Sequence, residues 1–366
     1  MKTVLQVVQH LRPGGIETIA LDLISFASQD EQHFIVSLEG DLASAIKQWP
    51  KLASFEKQLI FLNKQPGLSY SLLFSLLKLF KNMSPVAVHT HHIGPLLYAG
   101  LAARLSSVKH LIHTEHDAWH LNDKKRRLLQ RNAIKVLHPT LIADAKTVAE
   151  QMKIRLKSKH KIRVIRNGIN CETFTPGNKP SARAHFDLPE DKVIIGCSGR
   201  MEKVKGQSVL INALSILPKH VHLAFAGSGS TEAALRELVD MLALNERVHF
   251  LGHVDQMPRF YQSLDIFCLP SLNEGFPLSP LEAQACNITT LVTNVGASKE
   301  TVCPVTGRYV VPNNASAMAK VLKEMLMTVN ECSPRTFVEQ HGNLRSMINA
   351  YASLRHSPQF TGVCYE

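Results

Sequence analysis

Pro270-Ser271-Leu272-Asn273-Glu274-Gly275-Phe276-Pro277-Leu278-Ser279-Pro280-Leu281-Glu282-Ala283 is the stretch on which the reading of this chain turns. It follows an apolar run, Ile266-Phe267-Cys268-Leu269, with the composition of a buried strand, and it leads into helix-start signals. The spacing predicts Ser279 as N-cap, Pro280 as the first helical residue and Glu282 as the third, an S-x-x-E capping box. Between strand and helix, the backbone N–H groups from Gly275 to Leu278 and the positive helix end suit an anion such as phosphate. Glu274 and Glu282 bracket that anion site. Carboxylates repel phosphate, so their presence points to neutral hydroxyls on either side of a diphosphate, those of a sugar and a ribose. For Glu282 the capping box is a competing, purely structural explanation.

Outward from this segment, short β-type runs alternate with helical patterns along the whole chain, the signature of βαβ units and an α/β fold. The first half offers Val4–Val8, Phe34–Leu38, Ala87–His89, Leu111–His113, Thr140–Ala143 and Ile162–Ile165 as strands. The second offers Val193–Ser198, His222–Ala226, Val248–Leu251, Ile266–Leu269, Thr290–Thr293 and Arg308–Val311. Two series imply two Rossmann-like, doubly wound domains, expected to face each other across a cleft at the carboxyl ends of their strands. The expected boundaries are residues 1–172 and 190–339. Residues 173–189, with Pro176, Gly177, Pro180 and Pro189, are read as a linker.

At 366 residues and 45% hydrophobic, the chain is too long for one ordinary core and too apolar for disorder. No apolar run approaches a membrane span; Leu68–Phe80 is interrupted by Ser69, Ser71, Ser75 and Lys78. That stretch reads as a core helix in preference to one dipping into a membrane. The N-terminus shows no secretory h-region, so a cytoplasmic location is expected. Seven cysteines without a C-x-x-C pair read as buried, reduced thiols. Of the charge, 26 Lys and Arg against 13 Asp and Glu fall in residues 1–186, and 15 against 17 in the remainder. The excess gathers in Lys124–Lys135 and Lys153–Arg166. Such patches suit polyanions, whether anionic lipid, phosphorylated substrate or nucleic acid, or are simply solvated helix faces.

Three further loops follow strands. Gln9 to Glu17 contains Gly14-Gly15 before a helix, a form that lets backbone approach a phosphate or simply makes a tight turn. Gly199-Arg200 and Lys205-Gly206 place two cations where both can converge on one diphosphate, arginine as a fork and lysine as a point charge. Ala226-Gly227-Ser228-Gly229-Ser230-Thr231-Glu232 begins like a dinucleotide fingerprint, but Glu232 stands where the third glycine is required, so a dinucleotide site is disfavoured. His89, His91 and His92 imitate a zinc motif without a suitably spaced fourth ligand, and no metal is expected.

Taken in order, Gly14 to Glu17, Val88 to His91, Thr114 to Asp117, Val164 to Asn170, Gly199-Arg200 with Lys205-Gly206, Val248 to Val254 and Glu274 to Glu282 resemble the retaining, GT-B fold glycosyltransferases of family four. The resemblance covers nearly the whole chain. It implies an N-terminal acceptor domain, joined by a final helix within residues 340–366 (Arg335–Arg355 is the helical run), and a C-terminal donor domain. It further implies that Arg200 and Lys205 neutralise a donor diphosphate and that Gly275, Phe276, Pro277 and Leu278 form the loop donating N–H groups to it. Glu274 would hold the donor sugar and Glu282 the ribose. Phe250 to Val254, Val254 included, would lie against the base, His116 would reach the sugar, and Gly15 would sit against phosphate or acceptor.

The family needs no metal, and no D-x-D stands at a strand end here. No cofactor is expected beyond a nucleoside-diphosphate sugar as co-substrate, with UDP-sugar preferred. The expected partners are that donor and a glycan or lipid-linked acceptor, with peripheral contact to an anionic membrane through the basic half. A GT-B nucleotide-sugar 2-epimerase is the alternative enzyme. Nucleic-acid binding is disfavoured because Lys124–Lys135 has no aromatic stacking platform. Two departures stand out: Pro277 where the family often has Gly, and Cys286-Asn287-Ile288-Thr289 where it turns through Gly-x-Pro. Base, sugar, linkage, acceptor and oligomeric state are not legible.

Overall fold

The computed structural model describes residues 1–157, 160–328 and 332–356. The β-type runs form two parallel sheets. The first contains β1 (Lys2–Val8), β2 (Glu31–Ser37), β3 (Leu59–Phe61), β4 (Ala87–His91), β5 (His110–Glu115), β6 (Thr140–Ala143) and β7 (Ile162–Val164), in the order β3-β2-β1-β4-β5-β6-β7. The second contains β8 (Val193–Ser198), β9 (Val221–Ala226), β10 (Val248–Phe250), β11 (Ile266–Leu269), β12 (Thr289–Thr293) and β13 (Arg308–Val310), in the order β10-β9-β8-β11-β12-β13. Central strands such as β4 and β9 are buried along their whole length, because helices cover both faces of a parallel sheet. That is why β9 reads as a nearly continuous apolar run, whereas β4 carries buried His89, Thr90 and His91 that are paired by hydrogen bonds. β3 carries only Leu59-Ile60-Phe61 and was not expected as a strand; it is too short to show a period.

Both sheets have the doubly wound reversal, and it falls between β1 and β4 in one and between β8 and β11 in the other. Ligands of open α/β sheets bind outside the carboxyl ends of strands at this switch point. In the first sheet it is flanked by Gly14-Gly15 and His91-His92, in the second by Gly199–Gly206 and Pro270–Gly275.

The chain divides into one unit of Met1–Asn167 with the segment from Arg345, and a second of Gly168–Leu344. Residues 173–189, expected to be a linker, belong to the second unit. Asn178 caps the helix Lys179–His185 through Ser181 N–H at 2.8 Å. Lys179 and Arg183 then pair with Asp265 at 2.7 and 2.5 Å, and Phe174 packs on Tyr261 with ring centroids 5.9 Å apart. Proline and glycine mark a break in periodicity there, while the contacts that hold it come from residues far along the chain.

The expected helix Arg335–Arg355 is two helices, Pro334–His341 and Leu344–His356, separated at Gly342. The break lets Asn343 pair with Ile169, and a Cβ on Gly168 would lie 2.6 Å from the Asn343 carbonyl carbon. The last helix is pinned to the first sheet by Arg355 Nε on Glu31 at 2.8 Å and by Tyr351 Oη with Thr114 Oγ1 at 3.1 Å. Residues 357–366, including Cys364, lie outside the described residues, as do Ser158 and Lys159 of the second basic stretch. Five cysteines are buried, but Cys332 is exposed, against the expectation for it. In the helix Tyr70–Met83, Leu72, Leu76 and Phe80 face the core while Tyr70 and Phe74 are exposed. No helix among the described residues is long and apolar enough to cross a membrane.

Candidate active site

In the second unit, β8 ends at Ser198, and Gly199 at φ +129° turns the chain out into Arg200, which is exposed. The loop returns at Gly206, whose φ of +67° begins the helix Gln207–Leu214. A Cβ on Gly206 would lie 2.2 Å from the Pro270 carbonyl oxygen, so both conformation and contact require glycine here. This approach brings the β8 loop onto the β11 loop, where Leu272 N–H donates to Val204 at 2.7 Å.

The result is an ion pair between Lys205 Nζ and Glu274 Oε1 at 2.6 Å, with the Ser271 hydroxyl donating to the same oxygen at 2.6 Å. Glu274 is buried, so this pairing is screened by water far less than a surface one. Both bonds fall on one carboxylate oxygen. The other takes no protein hydrogen bond among the described residues, and can accept from a ligand hydroxyl.

The backbone N–H groups of Gly275, Phe276 and Leu278 are likewise not engaged by protein acceptors among the described residues. Pro277, expected within the donating loop, has no N–H and contributes only its shape. Gly296, at φ +53°, packs under this loop with a would-be Cβ 1.8 Å from the Glu274 carbonyl oxygen, and Ala297 N–H donates to Gly275 at 2.9 Å.

The expected capping box does not form. The helix Ser279–Ala285 starts one residue earlier than a Ser279 cap requires: Leu278, with φ −83° and ψ −32°, precedes it and no side chain caps it. Glu282 instead accepts a hydrogen bond from the Tyr261 hydroxyl at 2.6 Å. Val254 lies beyond the Gly252 turn, φ +67°, half-buried against the core cluster around Phe260 and Phe267.

The glycines after β9 also find their reason. A Cβ on Gly227 would be 2.2 Å from the Gly199 oxygen and one on Gly229 2.3 Å from the Met201 oxygen. They admit the Arg200 loop, and Ser230 completes the contact by donating to Glu202 at 2.7 Å.

In the first unit, the loop after β1 enters the helix Gly15–Ser25 through Gly14. A Cβ on Gly14 would meet Glu17 Oε2 at 2.3 Å, whereas Gly15 has open space. Glu17 is buried and pairs with His10 at 3.2 Å. His116, at the end of β5, is buried between His91 (Nδ1 to Nε2, 3.0 Å) and Asp144 (3.2 Å), and Asn167 donates to Asp144 at 3.0 Å. On the far side His91 Nε2 faces Gln6 Oε1 at 3.2 Å. Burial, then the charge of His92, lowers the His116 pKa to about 3, so the ring is neutral at ordinary pH.

Beside it, burial works against ionisation of Glu115, but His113 and His92 hold its carboxyl well below the usual carboxylate range. His92 stands at φ +67° and ψ 171°, a region nearly reserved for glycine. Its pKa is raised: burial opposes the charge, but the hydrogen bond to Glu115 together with the charges of Glu115 and Asp117 outweighs it. His89 donates to or accepts from Thr114 at 2.7 Å, and no group of His, Cys, Asp and Glu suited to a metal occurs among the described residues.

Sequence reasoning missed Gln6, Asp144, Tyr261 and Ser271. Asp144 could have been found, since it directly follows a strand as the other loop residues do. Ser271, two residues past β11 in the opening stretch, carried the same signal, whereas Gln6 and Tyr261 carry none.

Two sheets with this order, each with its loops gathered at the switch point, define a double Rossmann-like architecture. The glycosyl transferases group 1 model matches residues 178–333, and the Glycosyltransferase Family 4 model matches residues 13–173. The chain belongs to the group 1 glycosyltransferases of the GT-B fold. It is 26% identical over 333 residues to a D-inositol 3-phosphate glycosyltransferase of Corynebacterium urealyticum, covering 84% of this chain and 77% of that one. With the enzyme of that name from Mycolicibacterium smegmatis it shares 32% identity over 194 residues, 51% of this chain and only 45% of the relative. Among solved structures, a glycosyltransferase of Rickettsia africae superposes with a TM-score of 0.84 at 24% identity, covering 97% of each chain. HepE of Anabaena in complex with UDP superposes with a TM-score of 0.84 at 19% identity, covering 96% and 98%.

Proposed function

We propose that this protein is a retaining glycosyltransferase that moves a hexose or N-acetylhexosamine from a nucleoside-diphosphate sugar, with UDP preferred, to a glycan or lipid-linked acceptor. A role in cell-surface polysaccharide or lipopolysaccharide synthesis is the setting that fits such an acceptor. The observation that carries the reading is the Lys205–Glu274 pair beside Arg200 and three open N–H groups. Anion-binding groups and a hydroxyl-binding carboxylate meet there, and a sugar diphosphate presents both needs side by side.

Cleaving the bond between the anomeric carbon and phosphate leaves the electron pair on the diphosphate and builds positive charge on the sugar. Arg200, Lys205 and the N–H groups of Gly275, Phe276 and Leu278 bind the more negative leaving group more strongly than the intact donor, which lowers the barrier. In this reading the cations serve where other transferases use a metal. Glu274 orients the sugar through the oxygen that Lys205 and Ser271 leave open, Glu282 takes the ribose, and Val254 borders the base. The acceptor hydroxyl oxygen forms the new bond to the anomeric carbon, and its proton passes to the oxygen of the departing diphosphate. His116 and Gly15 belong to the acceptor-side unit, where His116 is held as a neutral hydrogen-bonding group.

The helix Lys124–Leu137 supports peripheral contact with an anionic membrane. It has no acidic residue, buries Gln130, Ile134 and Leu137, and exposes Lys124, Lys125, Arg126, Leu128, Leu129, Lys135 and Val136. Cations and apolar side chains on one outward face match an anionic lipid interface.

The testing experiment is hydrolysis of a panel of nucleotide sugars without acceptor, where slow release of one free nucleotide identifies the donor. Interconversion of the donor sugar at C2 without free nucleotide would favour the epimerase. Arg200→Ala should weaken nucleotide binding itself, and unchanged transfer in both Arg200→Ala and Glu274→Ala would overturn the site.

A further inference from the structure

Tyr261 is fully buried on the helix Met257–Gln262, with its ring packed against Phe174 and edge-on to Phe267 at 5.5 Å. Its hydroxyl leaves this aromatic cluster for two polar partners, Glu282 Oε2 at 2.6 Å and Ser198 Oγ at 3.0 Å. An ionised carboxylate only accepts, so Tyr261 donates to Glu282 and the Ser198 hydroxyl donates to the tyrosine oxygen. The hydrogen bonds therefore run in one direction, from Ser198 through Tyr261 to Glu282. Burial also pushes the phenol well above its ordinary pKa, so the proton stays available to donate.

Ser198 is the last residue of β8, immediately before Gly199-Arg200, and Glu282 lies on the helix after the Gly275 loop. One hydroxyl thus ties the loop bearing the phosphate cation to the second carboxylate. A ligand hydroxyl is recognised only by a carboxylate held in a defined rotamer, and the buried Tyr261 hydroxyl fixes one oxygen of Glu282 from a rigid aromatic cluster.

We propose that Tyr261 is the positioning residue that fixes Glu282 for the ribose and so makes the donor site discriminate ribonucleotides from their deoxy counterparts. This rests on the donor reading above, in which Glu282 meets the ribose. Tyr261 touches no substrate and acts through the carboxylate.

The test is calorimetric binding of UDP, 2′-deoxy-UDP and 3′-deoxy-UDP to the full chain, with ADP and GDP and their deoxy forms alongside. The wild-type protein should prefer the ribonucleotide over one deoxy form by on the order of tenfold, the range expected for a charge-assisted hydrogen bond. In Tyr261→Phe, of nearly the same shape, that ratio should fall to about threefold or less while the deoxy form binds as before. A merely structural role would weaken both nucleotides together and leave the ratio unchanged, and that result would overturn the proposal. Should Tyr261→Phe not fold, Ser198→Ala removes the second hydrogen bond and should lower the ratio part of the way; an unchanged ratio there counts equally against it. A wild-type protein that binds UDP without any preference also overturns the proposal and leaves the diphosphate assignment standing. Failure to bind any nucleoside diphosphate brings down the donor reading itself.

Discussion

The Lys205 ammonium and the Ser271 hydroxyl both reach Oε1 of Glu274, each at 2.6 Å, so the cation assigned to the diphosphate is also the counter-ion of the carboxylate assigned to the sugar. The two roles are separable by mutation. Glu274→Ala should lower sugar transfer by roughly 100-fold or more, the scale of losing one transition-state contact, while UDP binding persists because Lys205 is freed for phosphate. Isothermal titration beside a transfer assay checks this, and loss of UDP binding in Glu274→Ala would refute it. Lys205→Ala should weaken both, and should cost about 1–3 kcal/mol of stability by leaving a buried carboxylate without its cation.

Gly296 supports the same carboxylate from beneath. At φ +53°, with backbone 1.8 Å from a would-be Cβ, Gly296→Ala must displace the Glu274 loop. A loss of about 2–4 kcal/mol in denaturant unfolding is expected, since backbone offers no rotamer escape. Gly15→Ala, where the space is open, should be within about 0.5 kcal/mol of wild type.

The chain of polar groups through His91 and His116 fixes their tautomers. Asp144 needs a proton on His116 Nδ1, which leaves His116 Nε2 to accept from His91 Nδ1–H. His91 Nε2 must then accept, so the Gln6 amide is assigned with N and O exchanged, its N–H2 and not Oε1 toward that nitrogen, which gives the otherwise unpartnered Gln6 Nε2 an acceptor. Nitrogen NMR should find both rings as neutral Nδ1–H tautomers at pH 7, with no titration between pH 5 and 8. A charged His116 in that range would contradict the arrangement.

His120 behaves oppositely. Burial opposes its charge, but the Asp117 hydrogen bond and the charge of Glu115 raise its pKa to about 8. A raised pKa stabilises the fold fully below the unfolded value, 6.5, and that contribution disappears as pH rises through 8. About 1–2 kcal/mol should be lost over this window. His116, lowered to about 3, destabilises the fold as pH falls below 6.5. Unfolding of this chain should therefore be hardest near neutrality, and His120→Gln should flatten only the alkaline side.

Replacing Lys124, Lys125 and Arg126 by Glu should abolish flotation with vesicles of phosphatidylglycerol, while transfer to a soluble acceptor persists. Equal binding to neutral and anionic vesicles by the wild-type protein would defeat the membrane contact.

Twelve strands, the doubly wound class and the loops at Arg200, Lys205 and Glu274 were legible in the sequence, because each depends on residues close along the chain: apolar runs, glycines at turns, cations beside strand ends. Tertiary structure decided what those residues do with one another. Glu282 was drawn from its expected cap to Tyr261, the glycines of a false dinucleotide motif proved to be clearance for the Arg200 loop, and the supposed linker was claimed by Asp265 and Tyr261. The physical reason is common to all three. A cap, a turn or a strand is stabilised by neighbours within a few residues, whereas a buried polar group takes whichever partner the packed fold brings within 3 Å, and no local pattern names that partner.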